Sequence, residues 1–152
     1  MLRFWLALHL TGFMLWMGAG FASMIAGIRG RREDRAAQGA VARTQAAVQR
    51  ALVAPGAVLT LISGIALTII VLGAPGAQPS PWLMLMQVAG LGGALLVLFV
   101  SLPTSVRLAR LDPTGSPEQS AGFDALRARQ AQVGSIAGVL GLVALLGGVM
   151  VA

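Results

Sequence analysis

The chain has 152 residues, of which 57% are apolar and only 11% are charged, and its mean hydropathy is +0.82. These values exclude an ordinary water-soluble domain and predict a single all-α domain whose surroundings are mostly lipid. Arginine supplies all of the basic residues behind the net charge of +6, and the lack of cysteine excludes disulfides, thiolate nucleophiles and cysteine-ligated iron-sulfur clusters.

Charged residues divide the chain into four apolar segments, at about 4–28, 51–73, 81–106 and 130–152. Each segment is long enough to cross a hydrocarbon core of roughly 30 Å at about 1.5 Å per helical residue. The sequence therefore predicts one transmembrane domain over 1–152, an up-down bundle of four helices with long connections at 29–50 and 107–129.

Ten of the eleven arginines lie in those two long connections, whereas residues 73–80, between the second and third segments, carry no charge. The positive-inside rule therefore places both long connections in the cytoplasm and both termini outside, in a bacterial inner membrane. This topology explains the basic charge without a nucleic-acid partner, so the lipid bilayer is the only partner that the composition itself requires.

The connections also show helical patterns. Small or apolar residues recur at three- and four-residue spacings before the second segment, so its helix is predicted to begin within the first connection. Pro55 predicts an interruption in that helix. Ser116 and Pro117 read as an N-cap and a first helical residue, with Gln119 as a capping side chain, so the last helix is predicted to begin at about Pro117.

Small residues predict where the helices meet, because association within a bilayer depends on close backbone approach. Each segment carries one such stripe. The stripes are His9, Gly12, Trp16, Ala19, Ser23 and Gly27; Gly56, Thr60, Ser63, Gly64, Leu67 and Thr68; Gln87, Gly90, Ala94, Val97, Ser101 and Ser105; and Gly134, Gly138, Gly141, Leu145 and Gly148.

His9 is the only histidine, and it lies within the first apolar segment. Lipid offers no hydrogen-bonding partner, so an ionisable group at this depth is a candidate site. Counting residues from the segment ends places His9, Thr68 and Gln87 at one level, roughly 8 to 10 Å below the outer boundary. Gly147 or Gly148 would leave a gap at the same level.

Three interpretations of His9 stay open. It joins the helices by a hydrogen bond to Thr68 or Gln87, it ligates the iron of a b-type haem, or it relays protons. In the haem interpretation, Gly12 and the glycines of the fourth helix make space for the macrocycle. The predicted cofactor-binding residues are His9, Gly12, Trp16, Thr68 and Gln87, with His9 as the metal ligand. A lone histidine is too few ligands for zinc.

Several short motifs resemble the HemJ-type protoporphyrinogen oxidases and the broader CopD-like four-helix bacterial membrane proteins. They are Trp5 to His9 followed by Trp16, a proline at the start of the second span, and Trp82-Leu83 opening the third. The resemblance spans most of the chain and implies that His9 belongs to a b-haem site. The Trp-Leu-x-x-Lys pattern of those enzymes has Met86 at its lysine position here, and the chain has no second histidine.

Two functional hypotheses follow, and the sequence identifies no catalytic residue for either. The first is a haem protein with a porphyrin- or quinone-linked redox role, an oxidoreductase of the inner membrane. The second is a non-catalytic membrane subunit that packs through its glycine faces in a larger complex or a homo-oligomer. A transporter is less favoured, because the chain shows no internal repeat and no charge in the centre of a span.

Overall fold

The computed structural model describes Met1–Val151, so Ala152, the last residue of the predicted fourth span, lies outside the described residues. Its elements are helical: α1 (Leu2–Gly30), α2 (Arg35–Val48), α3 (Ala54–Leu72), α4 (Pro81–Leu96), α5 (Leu102–Leu108) and α6 (Pro117–Val151). A π-helical turn, Gln49–Val53, joins α2 to α3, and a second, Val97–Ser101, joins α4 to α5. We call these two continuous helices, Arg35–Leu72 and Pro81–Leu108, the second and third rods.

Within the described residues, four helices are long and apolar enough to cross a membrane: α1, the two rods and α6. Neighbouring helices run antiparallel, so both termini lie at one end, the terminal end, and the long connections at the other, the arginine-rich end. The predicted all-α, up-down four-helix membrane bundle is confirmed.

Local side chains determine where the helices begin. The Asp34 carboxylate accepts from the Ala37 N–H at 2.7 Å, so the second rod begins at Arg35, within the first connection as predicted. At α6, the Ser116 hydroxyl accepts from the Gln119 N–H at 3.3 Å, which confirms the predicted start at Pro117.

Each π turn ends two residues before a proline. The N–H of Ala54, before Pro55, donates to the carbonyl of Gln49, five residues back, and Leu102, before Pro103, donates to Val97 in the same way. Proline has no N–H to continue the α-helical ladder, and a wider turn re-pairs the preceding backbone groups. The interruption predicted at Pro55 is present, and Pro103 produces an equivalent one that was not predicted.

The helices associate as two close pairs, α1 with α3 and α4 with α6, joined at the centre by an apolar core. That core contains Trp16, Met17, Val53, Ala57, Ala94, Val97 and Ala137. The predicted stripes of the first three spans face inward. The stripe predicted for the fourth span is only partly right: Gly141 is buried, but Gly134 and Leu145 are exposed, and the buried face is Ala137, Gly141, Ala144 and Gly147. Glycines occur on more than one face of α6, so their presence alone could not identify the buried one.

A second, smaller core lies at the arginine-rich end. Phe123 of α6 is 1% exposed and packs with Ala42 of α2 and Leu108 of α5, flanked by Leu111 and Leu126. The two long connections therefore form a packed layer of their own.

Candidate functional site

The His9 ring of α1 lies against α3 of the second rod. Its Nδ1 atom is 3.0 Å from the Thr60 carbonyl oxygen and 3.2 Å from the Ser63 hydroxyl. A carbonyl oxygen can only accept a hydrogen bond, so Nδ1 carries the proton. In the neutral ring, Nε2 is then the nitrogen with the free lone pair, which is the form of histidine that binds metals.

Two features of α3 fix the ring. The Ser63 hydroxyl donates to the Leu59 carbonyl, so its oxygen is available to accept from Nδ1. A β-carbon at Gly64 would lie 3.1 Å from the His9 Cε1 atom, so glycine lets the ring edge lie close to the helix. Serine and glycine, next to each other on one helix face, thus hold the imidazole by a hydrogen bond and by shape.

Thr68 and Gln87 form a separate pair about one turn nearer to the terminal end. The Gln87 amide donates to the Thr68 hydroxyl at 2.8 Å, and that hydroxyl donates to the Gly64 carbonyl at 2.9 Å. The predicted bond from His9 to Thr68 or Gln87 is wrong, because His9 is held by Thr60 and Ser63 instead. The structure does bring Thr68 and Gln87 together, as their common predicted level required.

Gly12 and Trp16, also predicted site residues, serve packing. A β-carbon at Gly12 would lie 2.8 Å from the Thr60 nitrogen and 2.9 Å from the Gly56 oxygen. Trp16 is 3% exposed and lies edge-on to Phe13, with its ring over Gly93. Both residues lie inside contacts between helices.

Two glycines of α6, Gly141 and Gly147, are also in contact with neighbouring helices, although the haem interpretation placed a gap beside the glycines of this helix. A β-carbon at Gly141 would meet the Met17 side chain, and one at Gly147 would lie 3.1 Å from the Met86 nitrogen and the Trp82 oxygen. The interior space that the haem interpretation placed beside these glycines is filled by protein.

Burial differs between the two helix pairs toward the terminal end. Along α1, residues 2–11 include no fully buried residue, and along α3 none lies beyond Ser63 among 64–72. In the other pair, Leu83 and Gly147 remain buried close to the same end. His9 therefore lies in the less buried part of the α1–α3 pair, and its ring is half-buried rather than enclosed.

A family model described as a predicted integral membrane protein, DUF2269, matches residues 4–152. The chain belongs to this family. The comparisons with curated proteins and with solved structures found no match. The family description agrees with the four membrane-spanning helices, and this DUF2269 protein is an integral membrane protein.

A second polar cluster of this DUF2269 protein lies toward the arginine-rich end. Ser101 of the second π turn accepts from the amide of Gln49 at 3.0 Å and from that of Gln130 at 2.8 Å. One turn before Gln49, the Gln45 amide donates to the Ser23 carbonyl. This cluster was not predicted, although the four-residue spacing of Gln45 and Gln49 beside an apolar segment places both amides on one helix face.

Charged side chains join the connections beyond that cluster. Arg35 and Asp124 form a bidentate ion pair at 2.7 and 2.8 Å, and hydrogen bonding to this guanidinium lowers the pKa of Asp124. Arg127 donates to the Gln38 side chain at 2.8 Å and to the Gly27 carbonyl at 3.3 Å. Partial burial lowers the pKa of Arg127, which stays a cation at any physiological pH.

Among the described residues, no three histidine, cysteine, aspartate or glutamate side chains are grouped to hold a metal ion. A metal at His9 would therefore have to bring most of its own ligands, as the iron of a haem does. The candidate site thus consists of His9 with its supports Thr60, Ser63 and Gly64, and of the adjacent Thr68–Gln87 pair.

Proposed function

We propose that this membrane protein binds a b-type haem through His9 Nε2 and has a redox role linked to a porphyrin or a quinone. The observation that carries the proposal is the bond from His9 Nδ1 to the Thr60 carbonyl. Metal-ligating histidines characteristically donate their second ring N–H to such an acceptor, which fixes the tautomer and orients the free nitrogen.

The residues around His9 fit a haem in one respect: Nε2 is free to bind the iron. The interior of the bundle offers no matching fit for the macrocycle beside Gly12 or Gly141. Neighbouring atoms occupy the space beside Gly12 and Gly141. The macrocycle would therefore lie on the half-exposed side of the His9 imidazole, in the less buried part of the α1–α3 pair. This placement is an edge site, open to ligands from the lipid, rather than a central cofactor cavity.

A haem bound there would supply one-electron chemistry, and the protein would supply its position. His9 would hold the iron, while Thr60 and Ser63 orient the imidazole and Gly64 lets the ring lie close to α3. The Gln87 amide and Thr68 hydroxyl, one turn away, are polar groups within the span that can hydrogen-bond a polar edge of a cofactor or quinone. Met86, at the position of the HemJ lysine, argues against protoporphyrinogen as the substrate.

The test is the spectrum of the full-length protein purified from haem-supplied cells. We expect a Soret band and a reduced-minus-oxidised α band that are lost in His9→Gly and restored when that variant is given imidazole. Thr11→Ala serves as the control, because it removes an exposed polar side chain two residues from His9 on the same helix. A colourless protein, or a Soret band unchanged in His9→Gly, would refute the proposal.

A second candidate function, a non-catalytic subunit that packs on a partner or on itself, is favoured by one observation. Gly134 and Gly138 of α6 form a GxxxG pair with nothing within 4 Å of either added β-carbon. Such a pair suits close helix association in lipid. Mass measurement in mild detergent tests it: a complex that dissociates in Gly134→Leu supports it, and a monomer without a copurifying protein contradicts it.

The arginine distribution supports a proposal for the orientation in the membrane. We infer that the arginine-rich end lies in the cytoplasm of a bacterium and the terminal end outside its inner membrane. Because the chain has no cysteine, a single cysteine introduced at the exposed Ala77, in the uncharged loop, reports which side of the membrane that loop faces. We expect an impermeant maleimide to label Ala77→Cys in intact cells. The control is Ala121→Cys, at the arginine-rich end, which should stay unlabelled until the cells are opened.

A further inference from the structure

A cavity of about 370 Å³ opens at the arginine-rich end, between the start of the second rod and the segment that follows α5. Its walls are Ala36, Gly39 and Arg43 on one side and residues 109–114 on the other. This volume lies within the usual range for small-ligand pockets. The cavity is remote from His9, and nothing in the proposed haem site depends on it.

The cavity is built on packed structure. A β-carbon at Gly39 would lie 3.2 Å from the Pro113 ring, and Pro113 is buried. The Asp112 carboxylate accepts from the Thr114 N–H at 2.8 Å and from the Thr114 hydroxyl at 2.7 Å, which ties it to its own turn. The lining therefore has a fixed shape, supported from behind by the core around Phe123.

The charges in this lining are unequal. Arg43 and Arg110 contribute two guanidinium groups, and Asp112 contributes one carboxylate, so the lining carries one excess positive charge. Among residues 1–151, Arg35 and Asp124 form the one ion pair with a nitrogen–oxygen distance below 4.0 Å. Neither Arg43 nor Arg110 is therefore in an ion pair that close. The cavity therefore complements a ligand with a single negative charge.

The level of Arg43 relative to the membrane follows from contacts with α1. Gly27 lies against Gln45, and Gly30 lies against Val41. Arg43 is thus level with Arg29, the first charged residue after the apolar run of α1. The side of the cavity formed by α2 is consequently at the depth of lipid headgroups.

We propose that this cavity binds a phosphate group carrying one negative charge, of the kind found in the phosphodiester of an anionic lipid headgroup. Guanidinium groups donate planar, charge-assisted hydrogen bonds to phosphate oxygens, and basic pockets at headgroup depth suit such ligands. The same chemistry is offered by free phosphate from the aqueous side, so the source is decided by experiment.

The experiment measures binding of short-chain phosphatidylglycerol, phosphatidylcholine and inorganic phosphate to the full-length protein in neutral detergent. Arg43→Gln and Arg110→Gln are compared with Arg50→Gln, which removes an exposed arginine of the same end that does not line the cavity. We expect saturable phosphatidylglycerol binding that weakens about tenfold in each lining variant and less than about twofold in Arg50→Gln, since a charge-assisted hydrogen bond is lost only in the former.

Competition by millimolar inorganic phosphate would support the proposal and identify a soluble source, whereas binding of phosphatidylglycerol alone would support it and identify the lipid. Equal losses in Arg43→Gln and Arg50→Gln would overturn it, because they would indicate diffuse attraction to the whole basic end. Equal binding of phosphatidylcholine would overturn it as well. Folding of each variant is checked by its thermal unfolding, and Arg43→Lys, which keeps the charge, supplies a second lining variant.

Discussion

At the arginine-rich end, arginine and glutamine side chains reach across from helix to helix, whereas near the middle of the bundle α1 and α3 meet backbone to backbone through Gly12 and Gly56. The first arrangement distributes the contacts over several hydrogen bonds. The second depends on the absence of two β-carbons. The two regions should therefore be disrupted by different changes: the glycine contact is sensitive to the smallest added volume, and the polar end is sensitive to the loss of a particular hydrogen bond.

The largest effect is expected at the glycine contact. In Gly56→Ala the new β-carbon would lie 2.6 Å from the Trp16 nitrogen and 2.8 Å from the Gly12 oxygen, so the helices must separate. We expect a loss of about 3 kcal/mol in the free energy of unfolding, at the upper end for an overpacked core. Denaturant unfolding in detergent measures it. Gly134→Ala is the control, since that position has open space and alanine favours a helix by about 1 kcal/mol. Equal stability of the two variants would disprove the contact.

The next effect concerns Ser101, which accepts from both Gln49 and Gln130. In Ser101→Ala the two amides lose this acceptor, and Gln49 is only 6% exposed. We expect destabilisation by about 1 to 2 kcal/mol, the cost of leaving buried donors unpaired. The matched control is Ser135→Ala on the exposed face of α6. If the double variant Gln49→Leu with Ser101→Ala is no more stable than Ser101→Ala alone, the unpaired amide of Gln49 is not the cause.

A smaller effect is expected from Arg127, which bonds to Gln38 and to the last turn of α1. Arg127→Gln removes both bonds, and we expect about 1 kcal/mol of destabilisation. Arg129→Gln removes an exposed arginine two residues away on the same helix. A comparable loss in Arg129→Gln would mean that net charge, rather than these bonds, stabilises the arginine-rich end.

The smallest effect is the acid dependence of the Arg35–Asp124 pair, which is exposed to solvent. Arg35 lowers the pKa of Asp124 in the folded state, so the pair stabilises the fold above the ordinary carboxyl pKa of about 3.9. That stabilisation is lost as the pH falls below this value. The melting temperature should therefore fall by more between pH 6 and pH 3 in the parent protein than in Asp124→Asn. Identical drops would show that other carboxyl groups govern the acid response.

Much of the fold could be predicted because lipid imposes strong constraints on sequence. The lengths of the apolar segments predicted the four spans, and the arginine positions predicted that both long connections lie at the same end of the bundle. The helix start predicted at Ser116 and Pro117 is present, and Asp34 caps the helix that begins within the first connection. That His9 faces another helix also followed from chemistry, since an imidazole needs a polar partner.

The partner of His9 could not be predicted, because small errors at helix ends add up. The apolar run begins at Phe4, but α1 begins at Leu2 and α3 ends at Leu72. Counted from those ends, His9 is seven residues in (9 − 2), and seven residues back along α3 (72 − 7) is Ile65, next to Gly64. An error of three residues is about 4.5 Å along a helix, enough to move the expected level on α3 from Thr68 to Ile65, beside the Gly64 that contacts the His9 ring.

The π turn before Pro55 has a consequence for helical phase. A π turn contains about one residue more than an α turn, and one residue corresponds to a rotation of about 100° about the helix axis. The rotational setting of Thr60 and Ser63 toward His9 is therefore determined some two turns away, at Gln49–Val53. It follows that removal of a single residue from that wide turn would rotate the entire remainder of the rod, and would carry the imidazole's acceptors off α1 without altering any of them chemically.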